Sequence, residues 1–102
     1  RQSARSFAEG IATGSTYELT VETLRAGLTD FVLVSEDAIA QGVRDLLQFT
    51  HNVAEGAGAA GLAGLRVLAR RLAGKTVGIV LCGGNLDSER LRVILNGKTP
   101  GR

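Results

Sequence analysis

The sequence has 102 residues, a length that fits one small domain with a single core. Apolar residues make up 44% of it but aromatic residues only 4%, with neither Met nor Trp, so the core must be built from Ala, Val, Leu and Ile. The net charge of +2 comes from interspersed acids and bases, which argues against a nucleic-acid-binding surface. No apolar stretch approaches the roughly 20 residues that span a membrane.

Cysteine usage favours a reducing compartment. Cys82 is the single cysteine, so no internal disulfide can form, and no Cys and His residues stand at metal-ligand spacing. The amino end lacks the apolar core of a signal peptide, so we expect a cytoplasmic location and no membrane partner. The sequence starts at Arg1 where an initiator methionine would stand, and we expect it to be a piece of a longer protein.

The first half of the chain predicts helices and one buried strand. Residues 6–13 predict irregular chain with one helical turn, and residues 20–28 predict a short amphipathic helix with Thr20 as its cap. The apolar run 30–34 predicts a buried strand. Ser35, followed by two acidic residues, predicts the start of a helix of about four turns that ends near residue 50.

A glycine-rich segment follows at 51–65. Its four glycines, at positions 56, 58, 61 and 64, each cost about 1 kcal/mol relative to Ala inside a helix. We expect them to be kept because they let the chain lie directly against a sheet or a flat cofactor. Residues 66–73 then predict an amphipathic helix capped by Gly74.

The apolar run 77–81 predicts a second buried strand, of the parallel kind because both of its faces are apolar. The run stops in a loop that begins with Cys82, and Asp87 can cap a new helix over 88–95. In open α/β sheets, ligands bind just past the carboxyl ends of the strands, where Cys82 lies. The tail, 96–102, has the composition of a frayed terminus.

Three segments, taken together and in this order, resemble the carboxyl-terminal third of the serine/threonine dehydratases and serine racemases. They are Ala8-Glu9-Gly10, residues 52–59 (Asn-Val-Ala-Glu-Gly-Ala-Gly-Ala) and residues 78–85 (Gly-Ile-Val-Leu-Cys-Gly-Gly-Asn). Residues 32–39 match the strand-to-helix step of that family. At the position of Glu9 the family usually has Asp.

The resemblance implies a fold. The family consists of pyridoxal 5′-phosphate (PLP) enzymes of fold type II, also called tryptophan-synthase β-like. The implied fold class is α/β, with parallel strands and packed helices. Residues 1–102 would be a single fragment, the carboxyl-terminal part of the PLP-binding large domain.

The resemblance also implies cofactor contacts. Cys82 would face the pyridine nitrogen of PLP as a neutral hydrogen-bonding group, which leaves the ring a weaker electron sink than a carboxylate would and suits β-elimination. The other implied cofactor-binding residues are Gly83, Gly84, Asn85, Glu55 and Gly10. By position alone, Cys82 would be a small buried hydrophobe and Glu55 a helix cap. His51 has no partner for catalysis and is interpreted as a surface or helix-end residue.

The implied activity of the complete enzyme is that of an L-threonine or L-serine ammonia-lyase, which gives a 2-oxo acid and ammonia. The implied partners are a small amino-acid substrate and the remainder of the same enzyme. A serine or hydroxyaspartate racemase of the same family is one alternative, and a non-catalytic stand-alone fragment is another. Exposed strand edges and apolar patches would make such a chain a homo-oligomer.

The chain by itself is expected to be inactive. Neither Lys75 nor Lys98 stands in the Ser-Phe-Lys context of the family's Schiff-base lysine, so we expect no catalytic residue and no metal ligand within residues 1–102. We predict that the isolated chain, supplied with PLP and L-threonine or L-serine, releases no 2-oxobutanoate or pyruvate in a coupled assay. Sustained, substrate-dependent release would refute this.

Overall fold

The computed structural model describes residues 4–101, and the regular elements in this range are helical. One turn of 3-10 helix covers Glu9–Ile11, where the sequence predicts one helical turn. The α-helices are α1 (Glu18–Gly27), α2 (Glu36–Thr50), α3 (Gly56–Val67), α4 (Ala69–Leu72) and α5 (Ser88–Leu95). Helix α2 contacts both α3 and α5 and therefore lies at the centre of the packing.

Two helices begin at the predicted residues because a side chain caps each of them. The Ser35 hydroxyl accepts a hydrogen bond of 3.1 Å from the backbone N–H of Ala38, and α2 starts directly after it. The Asp87 carboxylate accepts one of 2.8 Å from the N–H of Arg90 and starts α5. The predicted cap of α1 is wrong, because Thr20 lies inside a helix whose cap position is Tyr17.

The core lies where α2 faces α3 and α5. Gly42 of α2 lies so close to α3 that an added Cβ would come within 3.0 Å of the Ala59 carbonyl oxygen. The missing side chain of Gly42 lets the two helices approach in this way. The composition predicts a core of Ala, Val, Leu and Ile, and the structure adds the aromatic Phe7 to it. The buried apolar residues are Phe7, Ala8, Ile39, Ala40, Val43, Leu46, Ala54, Ala59, Ala63 and Ile94.

The two apolar runs differ from the prediction. Within residues 4–101 no strand is formed, and 30–34 and 77–81 are neither helix nor strand. A strand exists only when its backbone is hydrogen-bonded to a neighbouring strand, and neither run has such a neighbour in the described range. The runs are also not buried as predicted, since Leu33 is 84% exposed and Val80 79% exposed.

The chain leaves more surface open than a closed domain would. Its accessible surface is 7426 Å², against about 5,500 Å² for a folded monomer of its mass. The exposed large apolar side chains include several of the two runs and of α1, which buries none of its residues. Within the described range, no helix combines the length and the apolar character needed to cross a membrane.

The tail packs against the start of α2. The Thr99 hydroxyl donates a hydrogen bond to the Asp37 carboxylate, and Pro100 is buried. The Arg44 guanidinium donates to the carbonyl oxygen of Ile94 at 2.9 Å, which joins α2 to the end of α5. Residue 102 lies outside the described residues, and the fraying of 96–102 stays a prediction.

Helices α2 and α3 are also joined by an ion pair. Asp45 is only 7% exposed, and its carboxylate is paired with Arg66 and accepts a hydrogen bond of 2.9 Å from the Gln41 side chain. A buried carboxylate that loses its cation keeps the cost of desolvation. Arg66 is 45% exposed, so solvent screening reduces this cost.

We predict that Arg66→Met lowers the free energy of unfolding by about 1–2 kcal/mol, because it leaves the Asp45 carboxylate without its cation. The matched control is Arg70→Met on the exposed face of α4, which we expect to change stability by less than about 0.5 kcal/mol. Urea unfolding followed by circular dichroism measures both. Equal effects of the two substitutions would contradict the structural role of the pair.

Candidate functional site

The amino end of α3 is where the loop after the second apolar run meets the loop before the helix. The backbone N–H of Glu55 donates a hydrogen bond of 3.0 Å to the carbonyl oxygen of Gly83. A Cβ added to Gly84 would lie 2.7 Å from the Val53 carbonyl oxygen, closer than real Cβ atoms approach an oxygen. Glycine is therefore required at position 84 for the two loops to lie at this distance.

The first turns of α3 lie against both the 83–84 loop and the 8–10 turn. A Cβ on Gly58 would lie 2.6 Å from the carbonyl oxygen of Gly83. A Cβ on Gly10 would lie 2.9 Å from the Cβ of Ala57, and one on Gly56 would lie 2.9 Å from Ala8. The 8–10 turn and the 83–84 loop therefore both lie directly against the helix, as expected for a glycine-rich segment kept for close approach.

Glu55 occupies the cap position of α3 but makes no side-chain cap hydrogen bond. Its half-buried side chain lies instead over the α-carbon of Gly83, where an added Cβ would collide with the Glu55 Oε1. The helix-cap interpretation of this residue is therefore wrong for its side chain. Within residues 4–101, the carboxylate has no hydrogen-bond partner, so it remains able to accept one.

Cys82 and Asn85 flank the two glycines of the loop. Both residues are exposed, and Cys82 is a free thiol, so the interpretation of Cys82 as a buried hydrophobe is wrong. Of the predicted site residues, direct contacts bring together Gly83 and Glu55. Gly10 and Gly84 reach the same end of α3 through Ala57 and Val53.

The loop before α3 is directed by the end of α2. His51 has φ 58°, a left-handed conformation that ends the helix, and its N–H donates to the carbonyl oxygen of Leu47 at 3.0 Å. The Asn52 side chain donates to the Thr50 carbonyl oxygen at 2.9 Å and so helps to hold the turn. His51 is thus an exposed helix-end residue, in agreement with its interpretation from the sequence.

One ion pair beside these loops is not predictable from the sequence. Arg90 of α5 donates from Nη2 to the Oε1 of Glu9 at 2.6 Å, and its Nε lies 3.5 Å from the Asp87 Oδ2. The hydrogen bond to Glu9 raises the pKa of Arg90. The two residues are 81 positions apart, and neither a periodic pattern nor a motif relates them.

No group of three or more His, Cys, Asp and Glu side chains between residues 4 and 101 is arranged to hold a metal ion.

Comparison with known proteins shows the class of protein to which the chain belongs. Residues 1–83 match the family described as pyridoxal-phosphate dependent enzyme. The chain therefore belongs to this family of PLP-dependent enzymes, and the resemblance drawn from the three motif segments is confirmed. The cofactor of the family is the one that the resemblance implies.

Individual relatives are similar over nearly the whole chain. A Sinorhizobium fredii protein provisionally named threonine dehydratase is 40% identical over 95% of this chain and 29% of its own length. The L-threonine ammonia-lyase of Thermotoga maritima is 37% identical over 89% of this chain and 22% of its own length. The L-threo-3-hydroxyaspartate ammonia-lyase of a Pseudomonas species is 33% identical over 90% of this chain and 29% of its own length. The chain thus spans less than a third of each, and no solved structure matches it significantly.

We predict opposite effects of the same substitution at two glycines of α3. In Gly58→Ala, the new methyl group meets the Gly83 carbonyl at 2.6 Å, and we expect a loss of about 1–3 kcal/mol in the free energy of unfolding. In Gly64→Ala, the nearest atom is the Val32 Cγ2 at 3.8 Å, and we expect a gain of up to about 1 kcal/mol from helix propensity.

Thermal and urea unfolding of both variants measure the difference. A Gly58→Ala chain as stable as the Gly64→Ala chain would show that close contact between α3 and the 83–84 loop does not constrain the fold.

Proposed function

We propose that this chain is the carboxyl-terminal part of a PLP-dependent ammonia-lyase that converts L-threonine or L-serine into a 2-oxo acid and ammonia. The proposal depends chiefly on one observation, the meeting of the 8–10 turn and the 83–84 loop at the amino end of α3. The names of the threonine dehydratase and threonine ammonia-lyase relatives support this choice of reaction.

The chain would supply the pyridine-ring side of the cofactor pocket. The residues present fit a flat ring because Cys82 and Asn85 are exposed on this loop, while Glu55 and the Val53 carbonyl oxygen already occupy the space beside Gly83 and Gly84. Pyridoxal phosphate, when bound, supplies an electron sink for reactions at the α-carbon of an amino acid. Cys82 would hold the ring nitrogen by a neutral hydrogen bond, and Gly10 would present its backbone beside the cofactor.

Glu55 and Asn85 would complete the pyridine-ring side of the cofactor pocket. The Glu55 carboxylate, fixed over Gly83 and still able to accept a hydrogen bond, would line the pocket wall. Asn85 is exposed on the same loop and offers both a donor and an acceptor. These two residues would bind and orient the cofactor. The chemistry on the substrate would depend on groups supplied by the remainder of the enzyme.

The two apolar runs would become parallel strands in the complete protein. Both lie on one face of α3, since a Cβ added to Gly61 would be 3.4 Å from the Ile79 Cβ and one added to Gly64 would be 3.8 Å from Val32. Two apolar segments lying over one helix are the arrangement from which an α/β layer could form. Their exposed apolar side chains would then be covered by the rest of the large domain.

An open apolar groove supports the same proposal. Its volume is about 670 Å³, and it runs between α1 and the run 31–34, with Ile11, Leu24 and Ile39 in its walls. The rest of the large domain would fill it. The assignment of residues 1–102 to that domain belongs to this proposal, and a cytoplasmic location stays a prediction from the cysteine usage.

A second substrate is favoured by a specific observation. Relatives from a Pseudomonas species and from Saccharomyces cerevisiae are named L-threo-3-hydroxyaspartate ammonia-lyase and are 33% and 31% identical to this chain. A 3-hydroxyaspartate ammonia-lyase is therefore the second candidate. A serine or hydroxyaspartate racemase, and a non-catalytic fragment that self-associates, stay alternatives that the same assay separates.

The test uses the complete protein that contains these residues. We expect it to release 2-oxobutanoate from L-threonine or pyruvate from L-serine in the presence of PLP, while oxaloacetate from L-threo-3-hydroxyaspartate would favour the second candidate. Formation of the D-amino acid as the main product, seen by chiral chromatography, would identify a racemase. Absence of both reactions with every substrate would overturn the proposal.

We predict that Cys82→Ala lowers kcat/KM of the complete enzyme about fivefold, because a neutral hydrogen bond contributes about 1 kcal/mol. Cys82→Ser keeps a neutral donor and acceptor and is the matched control, with activity expected within about twofold of the wild type. Thermal unfolding of the three proteins controls for stability. Equal activity of the Ala and Ser variants would contradict the role of Cys82 at the ring.

A further inference from the structure

We propose that Arg90 is a positioning residue, whose guanidinium joins the 8–10 turn to the 82–87 loop and so sets the spacing between the two backbones that border the cofactor site. This inference rests on the proposed function, because it concerns the geometry of that site. Glu9 lies in one of the motif segments, but neither the motifs nor the comparisons give Glu9 or Arg90 a role.

Arg90 contacts both the 8–10 turn and the 82–87 loop. Nη2 donates to the Oε1 of Glu9 at 2.6 Å, and Nε lies 3.5 Å from the Oδ2 of Asp87. The backbone N–H of Arg90 also donates to the Oδ1 of Asp87 at 2.8 Å. One residue at the start of α5 therefore contacts a carboxylate on each of the two segments.

Each carboxylate is tied closely to a residue of the candidate site. Glu9 precedes Gly10, and the turn that holds both lies on α3 through the close contacts of Gly10 and of Ala8. Asp87 ends the loop that begins with Cys82, and a hydrogen bond of 2.9 Å between the Leu86 N–H and the Gly84 oxygen keeps that loop tight. Glu9 and Asp87 are therefore the residues through which Arg90 reaches the backbone of the two segments.

The pair is poorly placed for a mainly stabilising role. The side chains of Glu9 and Arg90 are 69% and 34% exposed, and exposed ion pairs contribute roughly 0–1 kcal/mol to stability. The pair acts instead on the relative position of the two segments, because a charge-assisted hydrogen bond from a planar guanidinium fixes geometry as well as distance. We therefore expect its loss to weaken cofactor binding more than it weakens folding.

Helix α5 offers a matched control. Arg92 and Glu89 form an exposed ion pair of the same 2.6 Å length, three residues apart on the same helix. This pair joins α5 only to itself and touches neither the 8–10 turn nor the 82–87 loop. It reports what the loss of an exposed ion pair in α5 does without a change of spacing at the site.

The experiment measures the dissociation constant of PLP for the complete protein by absorbance titration, together with the unfolding midpoint of the cofactor-free protein. We expect Glu9→Gln and Arg90→Met each to raise the PLP dissociation constant about two- to fivefold, the range given by the loss of one exposed ion pair. The double variant should bind no more weakly than Arg90→Met, because the interaction that Glu9→Gln removes is already lost in Arg90→Met.

Further variants separate positioning from general destabilisation. Arg90→Lys keeps the charge but loses the planar fork, so its dissociation constant should fall between those of the wild type and Arg90→Met. Glu89→Gln and Arg92→Met should leave PLP affinity unchanged while shifting the unfolding midpoint as much as the site variants do.

Two results would overturn the inference alone. They are equal effects on PLP affinity of the Glu9–Arg90 and Glu89–Arg92 substitutions, and fully additive effects of Glu9→Gln and Arg90→Met. A complete wild-type protein that binds no PLP would overturn the proposed function and this inference together.

Discussion

The close approach of backbones at the amino end of α3 is the constraint on which the rest of this structure depends. The Gly83 carbonyl lies where a side chain of Gly58 would be, and Glu55 lies where a side chain of Gly83 would be. Glycine at these positions costs helix stability and chain entropy, about 1 kcal/mol for each helical glycine. That cost is offset only if contact between the helix and the loops is needed, and it is these contacts that bring the motif segments together.

The remaining elements hold this junction in place. Helix α2 packs on α3 through the Gly42 contact and the buried Asp45 carboxylate, and its capped start fixes where the run 30–34 ends. The apolar runs and α1 stay exposed, which a closed domain would avoid. The relatives are more than three times as long as this chain, and under the proposed function the open surface would be the inner face of a larger domain.

Local signals predict where α2 and α5 begin, but they miss the start of α1 and the break at Leu68 within the helix expected over 66–73. Non-local pairing is not predictable from them. Ser35 and Asp87 start helices because a cap involves residues three positions apart, which the sequence displays directly. The strand prediction for 30–34 is based on its apolar pattern. A strand also needs a neighbouring strand, and residues 4–101 supply none. The resemblance implies only that Glu55 and Gly83 both border the cofactor, and the Glu9–Arg90 pair spans 81 positions without any periodic signal.

The most direct test is to find the lysine that carries the cofactor in the complete protein. Borohydride reduction with PLP bound, followed by peptide mass mapping, leaves a stable pyridoxyl group on that lysine. If residues 1–102 form the ring side of the pocket, the modified lysine lies outside them. A pyridoxyl group on Lys75 or Lys98, the two lysines of this chain, with turnover lost when that lysine is replaced, would contradict the assignment.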